Sequence, residues 1–157
     1  MGTRNFVVDG TYITRPTQAF NGSVKVASVH LLTGVLHDEM AALLPYLGIP
    51  SLEQSLLAFG FDPSIILNST LFPLPTGPNT TLDVFNTTVH VATDYSLRCL
   101  SQAIAYAGIT FDQFKTAWFY EFERSYQVAN FEVNSPICDA PITSTFPYGD
   151  TSLPYFR

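Results

Sequence analysis

A stretch rich in Val and Leu that runs into an acidic pair constrains the fold of this chain more than any other feature. Residues 24–32 (VKVASVHLL) have little polar interruption, which suits a strand buried on both faces of a parallel sheet. Thr33 and Gly34 then allow a sharp turn, and the stretch ends in Asp38 and Glu39. In open α/β sheets, functional side chains stand at the carboxyl ends of strands. The acidic pair is therefore a candidate site, and its alternative reading is a solvated helix start.

The rest of the chain alternates helical and strand patterns. Residues 51–59 open with Ser51 and Gln54 in capping-box spacing and predict a helix. Residues 82–107 form the main predicted helical region, with a break near Thr93 and Asp94 and a stop at Gly108. Period-two aromatic residues predict a second strand over 115–124. We therefore predict the α/β class, and 157 residues are enough for one domain with a core of its own.

Composition narrows the possible partners. The chain is 46% hydrophobic but only 13% charged, whereas soluble domains usually carry nearer 25% charged residues. This indicates either that a partner covers apolar surface or that the chain is part of a larger globule. The net charge is −6 and the cationic residues are scattered, which disfavours nucleic-acid binding. No apolar run reaches the 18 or more residues of a membrane span.

Sequons and cysteines indicate a secreted protein. Four Asn-X-Ser/Thr triplets begin at Asn21, Asn68, Asn79 and Asn86, and we interpret them as glycosylation sites in surface loops. Cys99 and Cys138 form either one disulfide or two buried free thiols, and the sequons favour the disulfide. Closing that loop would stabilise the fold by roughly 3–4 kcal/mol. The opening residues, MGTRNF, lack a signal-peptide core, so we expect an N-terminal portion to be missing.

Direct motifs for chemistry are few. The sequence has no Gly-rich phosphate loop, His-x-x-x-His or Cys-x-x-Cys, so we predict neither a cofactor nor a metal. The Gly-x-Ser-x-Gly nucleophile elbow is also absent. Among the histidines, His30 is expected to be a hydrogen-bonded structural residue of the strand. His37 is placed facing either solvent or the site, and His90 is placed at the surface.

Several segments carry a family resemblance in their order along the chain. They are VVDG, the stretch VKVASVHLLTGVLHDE, ATDYSLRC, WFYEFERSYQ and the final PYFR. Together they resemble the type-B carboxylesterase and lipase family of α/β-hydrolases, and the spacing and placement of Cys99 and Cys138 are most similar to fungal secreted members. The resemblance implies the C-terminal part of an α/β-hydrolase fold, with a few strands of a mostly parallel sheet and an incomplete domain.

The resemblance also implies a role for Glu39. It corresponds to the acid of the family's Ser-Glu-His triad, where a carboxylate fixes the imidazole tautomer and stabilises the imidazolium. Asp38 is the fallback. Two positions depart from the family pattern, since Leu36 stands where Asn is frequent and Met40 where Gly is usual.

The triad would be incomplete here, because the family's nucleophilic Ser and catalytic His have no counterpart in this chain. We therefore expect a fragment of a secreted carboxylic-ester hydrolase, inactive alone, whose parent acts on an ester or lipid. The missing N-terminal part of the same fold is its expected partner. The alternatives are a non-catalytic, glycosylated, cholinesterase-like adhesion or binding domain and, third, an assembly subunit whose strands another chain completes.

Overall fold

A computed structural model describes residues 10–11, 23, 28–73, 76–122, 134, 143–145 and 147. Two strands flank a series of helices, in the order β1 (Val29–Leu36), a 3-10 helix (Glu39–Ala42), α1 (Leu52–Ala58), α2 (Pro63–Leu67), α3 (Thr80–Thr93), a π-helical segment (Asp94–Arg98), α4 (Cys99–Thr110) and β2 (Phe114–Phe122). Helices thus connect two strands that pair in parallel. The described residues therefore combine helices and a parallel strand pair, as the α/β class requires.

The first strand differs from its prediction in both position and burial. It begins at Val29 and continues through Thr33 and Gly34 to Leu36, whereas the prediction ended it at residue 32; residues 24–27 lie outside the described part. The reason is the partner strand, because Gly34 lies opposite Tyr120. A Cβ on Gly34 would meet the Tyr120 backbone oxygen and come within 2.7 Å of its ring. Gly34 therefore allows the two strands to approach closely and does not form a turn.

The predicted burial of β1 on both faces is wrong for the described residues. Within them β1 has one strand neighbour, β2, and only Val35 of the strand is buried. Leu32, Leu36, Trp118, Tyr120 and Phe122 are all exposed. Because side chains on a strand alternate with period two, these positions of the two paired strands share one face of the sheet. The sheet thus presents an apolar face to solvent.

Helix α3 forms the centre of the core. Its Phe85, Val89 and Ala92 pack with Ala41 and Leu44, which lie in and just after the 3-10 helix. Its Val84 and Val91 pack in a second cluster with Leu52 and Leu56 of α1. A buried hydrogen bond of 2.8 Å between the Ser55 and Thr88 hydroxyls also joins α1 to α3. One helix therefore holds both α1 and the segment that follows β1.

The two short helices α1 and α2 each have a side-chain cap at their N-terminus. Ser51 caps α1 by accepting a hydrogen bond from the Gln54 N–H, and Gly60 follows the helix with a φ of +81°. Helix α2 is capped by Asp62, whose carboxylate accepts hydrogen bonds from the Ser64 hydroxyl and N–H. These bonds, the hydroxyl bond first, hold the pKa of Asp62 below its ordinary value. The predicted start of α1 at Ser51 is confirmed, with Ser51 as its cap.

The long helical region does not break at Thr93 and Asp94 but widens there. The π-helical segment continues α3 into α4 without an intervening loop. Helix α4 also passes the predicted stop at Gly108, whose missing Cβ leaves room for the Phe114 ring. It ends at Thr110, and Asp112 takes the left-handed conformation with a φ of 52°. Among the described residues, no helix has both the length and the apolar character needed to cross a bilayer.

A matched pair of leucines tests the core assignment. Leu56 has 0% of its surface exposed, whereas its neighbour Leu57 is 57% exposed. We expect Leu56→Ala to lower the free energy of unfolding by about 2–5 kcal/mol, because it leaves a cavity between α1 and α3. Leu57→Ala should change it by no more than about 0.5 kcal/mol. Urea unfolding followed by circular dichroism measures both, and equal effects would contradict the packing.

The close approach of the strands gives a second test. Gly34→Ala should destabilise the chain by about 1–3 kcal/mol through overpacking against β2. The clash involves a backbone oxygen as well as a ring, so adding Tyr120→Ala should not restore the urea midpoint. Thr33→Ala, on the opposite face of β1, introduces no new atom and serves as the control. Recovery of stability in the Gly34→Ala, Tyr120→Ala double variant would show that only the ring is in the way.

Candidate functional site

Three side chains meet where β1 ends. His37 and Asp38 follow the last residue of β1, and His90 comes from the last turn of α3. Asp38 Oδ1 lies 3.1 Å from His37 Nδ1 and 2.7 Å from His90 Nε2. The two imidazole rings meet edge to face, with their centroids 4.9 Å apart. We refer to these three residues as the His37–Asp38–His90 cluster.

The backbone of His37 is held from two sides. Its N–H donates to the carbonyl oxygen of Phe122 at 3.1 Å, which extends the strand pairing by one bond. Its carbonyl oxygen accepts from Arg98 Nη2 at 3.4 Å. Arg98 also forms ion pairs with Asp94 and Glu121. One guanidinium thus links the π-helical segment, the end of β2 and the first residue of the cluster.

Asp38 departs from the usual behaviour of a helix-capping aspartate. It is the N-cap residue of the 3-10 helix, yet its side chain makes no capping hydrogen bond. The carboxylate is instead directed at the two imidazoles, and only 10% of the side chain is exposed. The prediction of a helix start at the acidic pair is therefore right in position. The carboxylate of Asp38, however, is not solvated.

The contact between Asp38 and His90 is close but not aligned as a hydrogen bond. Both Asp38 Oδ1 and His90 Nε2 are buried, and neither has a hydrogen-bond partner of acceptable geometry. The two atoms are 2.7 Å apart, yet they do not form a hydrogen bond with each other. Buried polar atoms in this condition are uncommon and call for an explanation.

His90 does not have the surface role assigned to it from the sequence. One third of its side chain is exposed, and its imidazole faces Asp38 across the gap between α3 and the 3-10 helix. The neighbouring positions Val89 and Val91 are buried in the core. Because both neighbours are anchored, the direction of His90 is set by the packing of α3.

Glu39 lies beside the cluster and not within it. It is the first residue of the 3-10 helix, and its Oε2 accepts a hydrogen bond from the Leu36 N–H at 3.2 Å. The following N–H, that of Met40, donates to the Thr93 hydroxyl at 3.2 Å. The structure thus turns the Glu39 carboxylate back toward the end of β1. Of the two acidic candidates, only Asp38 faces imidazoles.

The remaining site predictions have mixed outcomes. His30 Nδ1 is 2.7 Å from the Thr116 hydroxyl oxygen, so its predicted hydrogen-bonded role is confirmed, although the residue is exposed. Cys99 begins α4, is exposed, and forms no disulfide with any described residue. Cys138 lies outside the described residues, so the disulfide stays a prediction.

The four sequons also differ in their surroundings. Asn68 and Asn79 are exposed and lie at the C-cap of α2 and the N-cap of α3. Asn86 instead lies inside α3 with its Oδ1 buried, so it is not in the surface loop predicted for it. Asn21 lies outside the described residues.

The sequence did not predict that His90 joins His37 and Asp38, and it did not predict a role for Asn134. Asn134 is buried and donates to the carbonyl oxygens of Ala41 and Leu44, while its Oδ1 accepts from the Tyr46 N–H at 2.6 Å. It thereby caps the C-terminal end of the 3-10 helix. No spacing rule connects His90 with His37 and Asp38, and only the packing of α3 brings them together. The sequence signal that could have pointed to His90 is its position between Val89 and Val91 in a predicted helix.

No family model, curated protein or solved structure matches this chain.

The link between Met40 and Thr93 allows a test of how the segment after β1 is held. Thr93 is fully buried, so Thr93→Val should leave the Met40 N–H without an acceptor and lower the free energy of unfolding by about 1–3 kcal/mol. The amide of Met40 should also exchange faster with deuterium. Thr87→Val is the matched control, since the Thr87 hydroxyl only donates to Asp83 O within α3. Unchanged exchange at Met40 would contradict the contact.

Proposed function

We propose that this chain is the acid-bearing part of a secreted serine carboxylic-ester hydrolase of the α/β-hydrolase type, whose triad acid is Glu39. One observation supports it best. An acidic pair follows the carboxyl end of a strand that pairs in parallel with the next strand, with helices between them. This is where the resemblance to type-B carboxylesterases and lipases requires the acid to stand.

The local geometry suits Glu39 better than Asp38 for this role. Hydrogen bonding to the Leu36 N–H holds the Glu39 carboxylate close to the strand end, and a triad acid needs a fixed position to orient its imidazole. Asp38 Oδ1 already faces His37 and His90, neither of which stands at the family's histidine position. In this proposal the nucleophilic serine and the base come from other parts of the parent protein.

The reaction would be acyl-enzyme hydrolysis. The serine attacks the ester carbonyl while the histidine accepts its proton, and the imidazolium returns that proton to the leaving alcohol. Water then cleaves the acyl-enzyme by the same route. Glu39 stays ionised throughout and stabilises the imidazolium. The substrate class is a carboxylic ester or lipid, and no cofactor is required by these steps.

A second candidate function is supported by the exposed face of the sheet. Leu32 is 70% exposed, and Trp118 and Tyr120 are exposed beside it. Apolar patches of this kind mark surfaces that another part of a protein covers. The rest of a hydrolase domain would cover this face, and so would the ligand of a non-catalytic, glycosylated binding domain. Activity of the parent protein distinguishes the two.

Hydrolysis of p-nitrophenyl butyrate tests the proposal. We expect no activity from the 157-residue chain alone, and activity from the parent protein translated from the full transcript. In that parent, Glu39→Gln should lower kcat by about 10⁴-fold, because a neutral amide fails to hold the required imidazole tautomer. Glu53→Gln, at an exposed position in α1, is the matched control and should leave kcat unchanged.

The same assay separates the alternatives. Loss of activity in Asp38→Asn but not in Glu39→Gln would assign the acid to Asp38. Hydrolysis by the isolated chain, or full activity in both variants, would overturn the role of the acidic pair. A correctly folded parent that is inactive and does not react with a fluorophosphonate probe would favour the binding domain.

A further inference from the structure

We propose that His37, Asp38 and His90 bind a divalent transition-metal ion, with Zn²⁺ the preferred species. Their ligand atoms all lie within 4.8 Å of one another, and two of the separations are 3.1 and 2.7 Å. The site is independent of the proposed ester hydrolysis, since neither Glu39 nor a serine takes part in it. Two observations support the site: the short distances between the ligand atoms, and the absence of a hydrogen bond at Asp38 Oδ1 and His90 Nε2.

The spacing fits a single ion. Two ligands of a tetrahedral Zn²⁺ with bond lengths of roughly 2.0–2.1 Å are about 3.3 Å apart. The His37 Nδ1 to Asp38 Oδ1 distance of 3.1 Å is close to this value. The His90 Nε2 to Asp38 Oδ1 distance of 2.7 Å would have to open by about 0.6 Å to match it. A rotation of the His90 ring or the carboxylate is enough for such a change.

The condition of Asp38 is the second observation that points to a ligand. Its side chain is nine-tenths buried and makes no capping hydrogen bond to the 3-10 helix, and its Oδ1 has no aligned hydrogen bond. His90 Nε2 is unpartnered in the same way. A cation between them would accept a lone pair from each, which turns two unsatisfied buried atoms into two metal ligands.

The donor set decides which metals suit the site. Two neutral imidazole nitrogens and one carboxylate oxygen match Zn²⁺ and related first-row ions. Mg²⁺ and Ca²⁺ prefer sites built from oxygen atoms. Three protein ligands leave a fourth tetrahedral position, and the partly exposed rings of His37 and His90 allow a water molecule to reach it.

The placement of the ligands indicates what the ion would do. His37 and Asp38 belong to the segment after β1, and His90 belongs to α3. The metal would therefore join the carboxyl end of the strand to the central helix. His37 is already held by Phe122 and Arg98 through its backbone, so two sides of the site are ordered before the ion arrives. Binding should stabilise the folded chain in proportion to ligand concentration.

Calorimetric titration of the metal-free 157-residue chain with ZnSO₄ tests the proposal. We expect one Zn²⁺ per chain and a rise in Tm with added Zn²⁺, but no rise with Mg²⁺. Asp38→Asn and His90→Gln each remove a direct ligand and should raise the Kd for Zn²⁺ by more than roughly 100-fold. Loss of a residue that only supports a ligand costs roughly 10–100-fold. His37→Gln removes the most exposed of the three ligands, so it should weaken Zn²⁺ binding with little effect on folding.

Two control variants come from the same chain. His30→Gln changes the remaining histidine, which lies on β1 beside Thr116, and Cys99→Ser removes an exposed thiol that could itself bind zinc. Both should keep wild-type affinity. Co²⁺ substitution provides a spectroscopic reading, because a tetrahedral site gives stronger visible absorption than an octahedral one. Absence of Zn²⁺ uptake by the wild type, unchanged uptake in His90→Gln, or loss in Cys99→Ser would each overturn the site.

Discussion

Burial of helix α3 on two adjoining stripes is the interaction on which the other described elements depend. Positions 85, 89 and 92 face the segment after β1, and positions 84, 88 and 91 face α1 and the helices near it. The stripes are one residue apart, or about 100° around the helix, so the two neighbours pack side by side. The same helix directs His90 at Asp38 and gives Thr93 to Met40. The candidate site is therefore a product of the core.

The π-helical segment sets the direction of the chain where α3 ends. An extra residue in one turn rotates everything that follows relative to the helix before it, and the strand that α4 packs against most extensively is β2. Arg98 at the end of this segment reaches both Glu121 and the carbonyl oxygen of His37. The widened turn thus couples the second strand to the end of the first. Segments of this type are frequent at functional sites.

Local sequence signals predicted the elements well where the interactions are local. The cap of α1 is an example, because the Ser51 hydroxyl accepts a hydrogen bond from the Gln54 N–H within one turn. Prediction failed where the deciding contact is distant. Gly34 was read as a turn because its partner Tyr120 lies 86 positions further along the chain, and Gly108 was read as a stop although it makes room for Phe114. The contact of Asp38 with His90 depends on the packing of α3 in the same way. The sequence therefore indicated Asp38, and His37 as one of two alternatives, but not His90.

The packing of α3 onto α1 would also set the order of events if carbohydrate were attached at the predicted Asn86 site. The third residue of the Asn86 sequon is Thr88, which is fully buried and hydrogen-bonded to Ser55. An enzyme that reads the triplet needs both Asn86 and the Thr88 hydroxyl to be accessible. Glycosylation of Asn86 would therefore have to precede the docking of α3 onto α1, whereas Asn68 and Asn79 are exposed in the folded chain and would not require that order. A glycan found on Asn86 would therefore show that the glycosylating enzyme had acted before α3 packed onto α1.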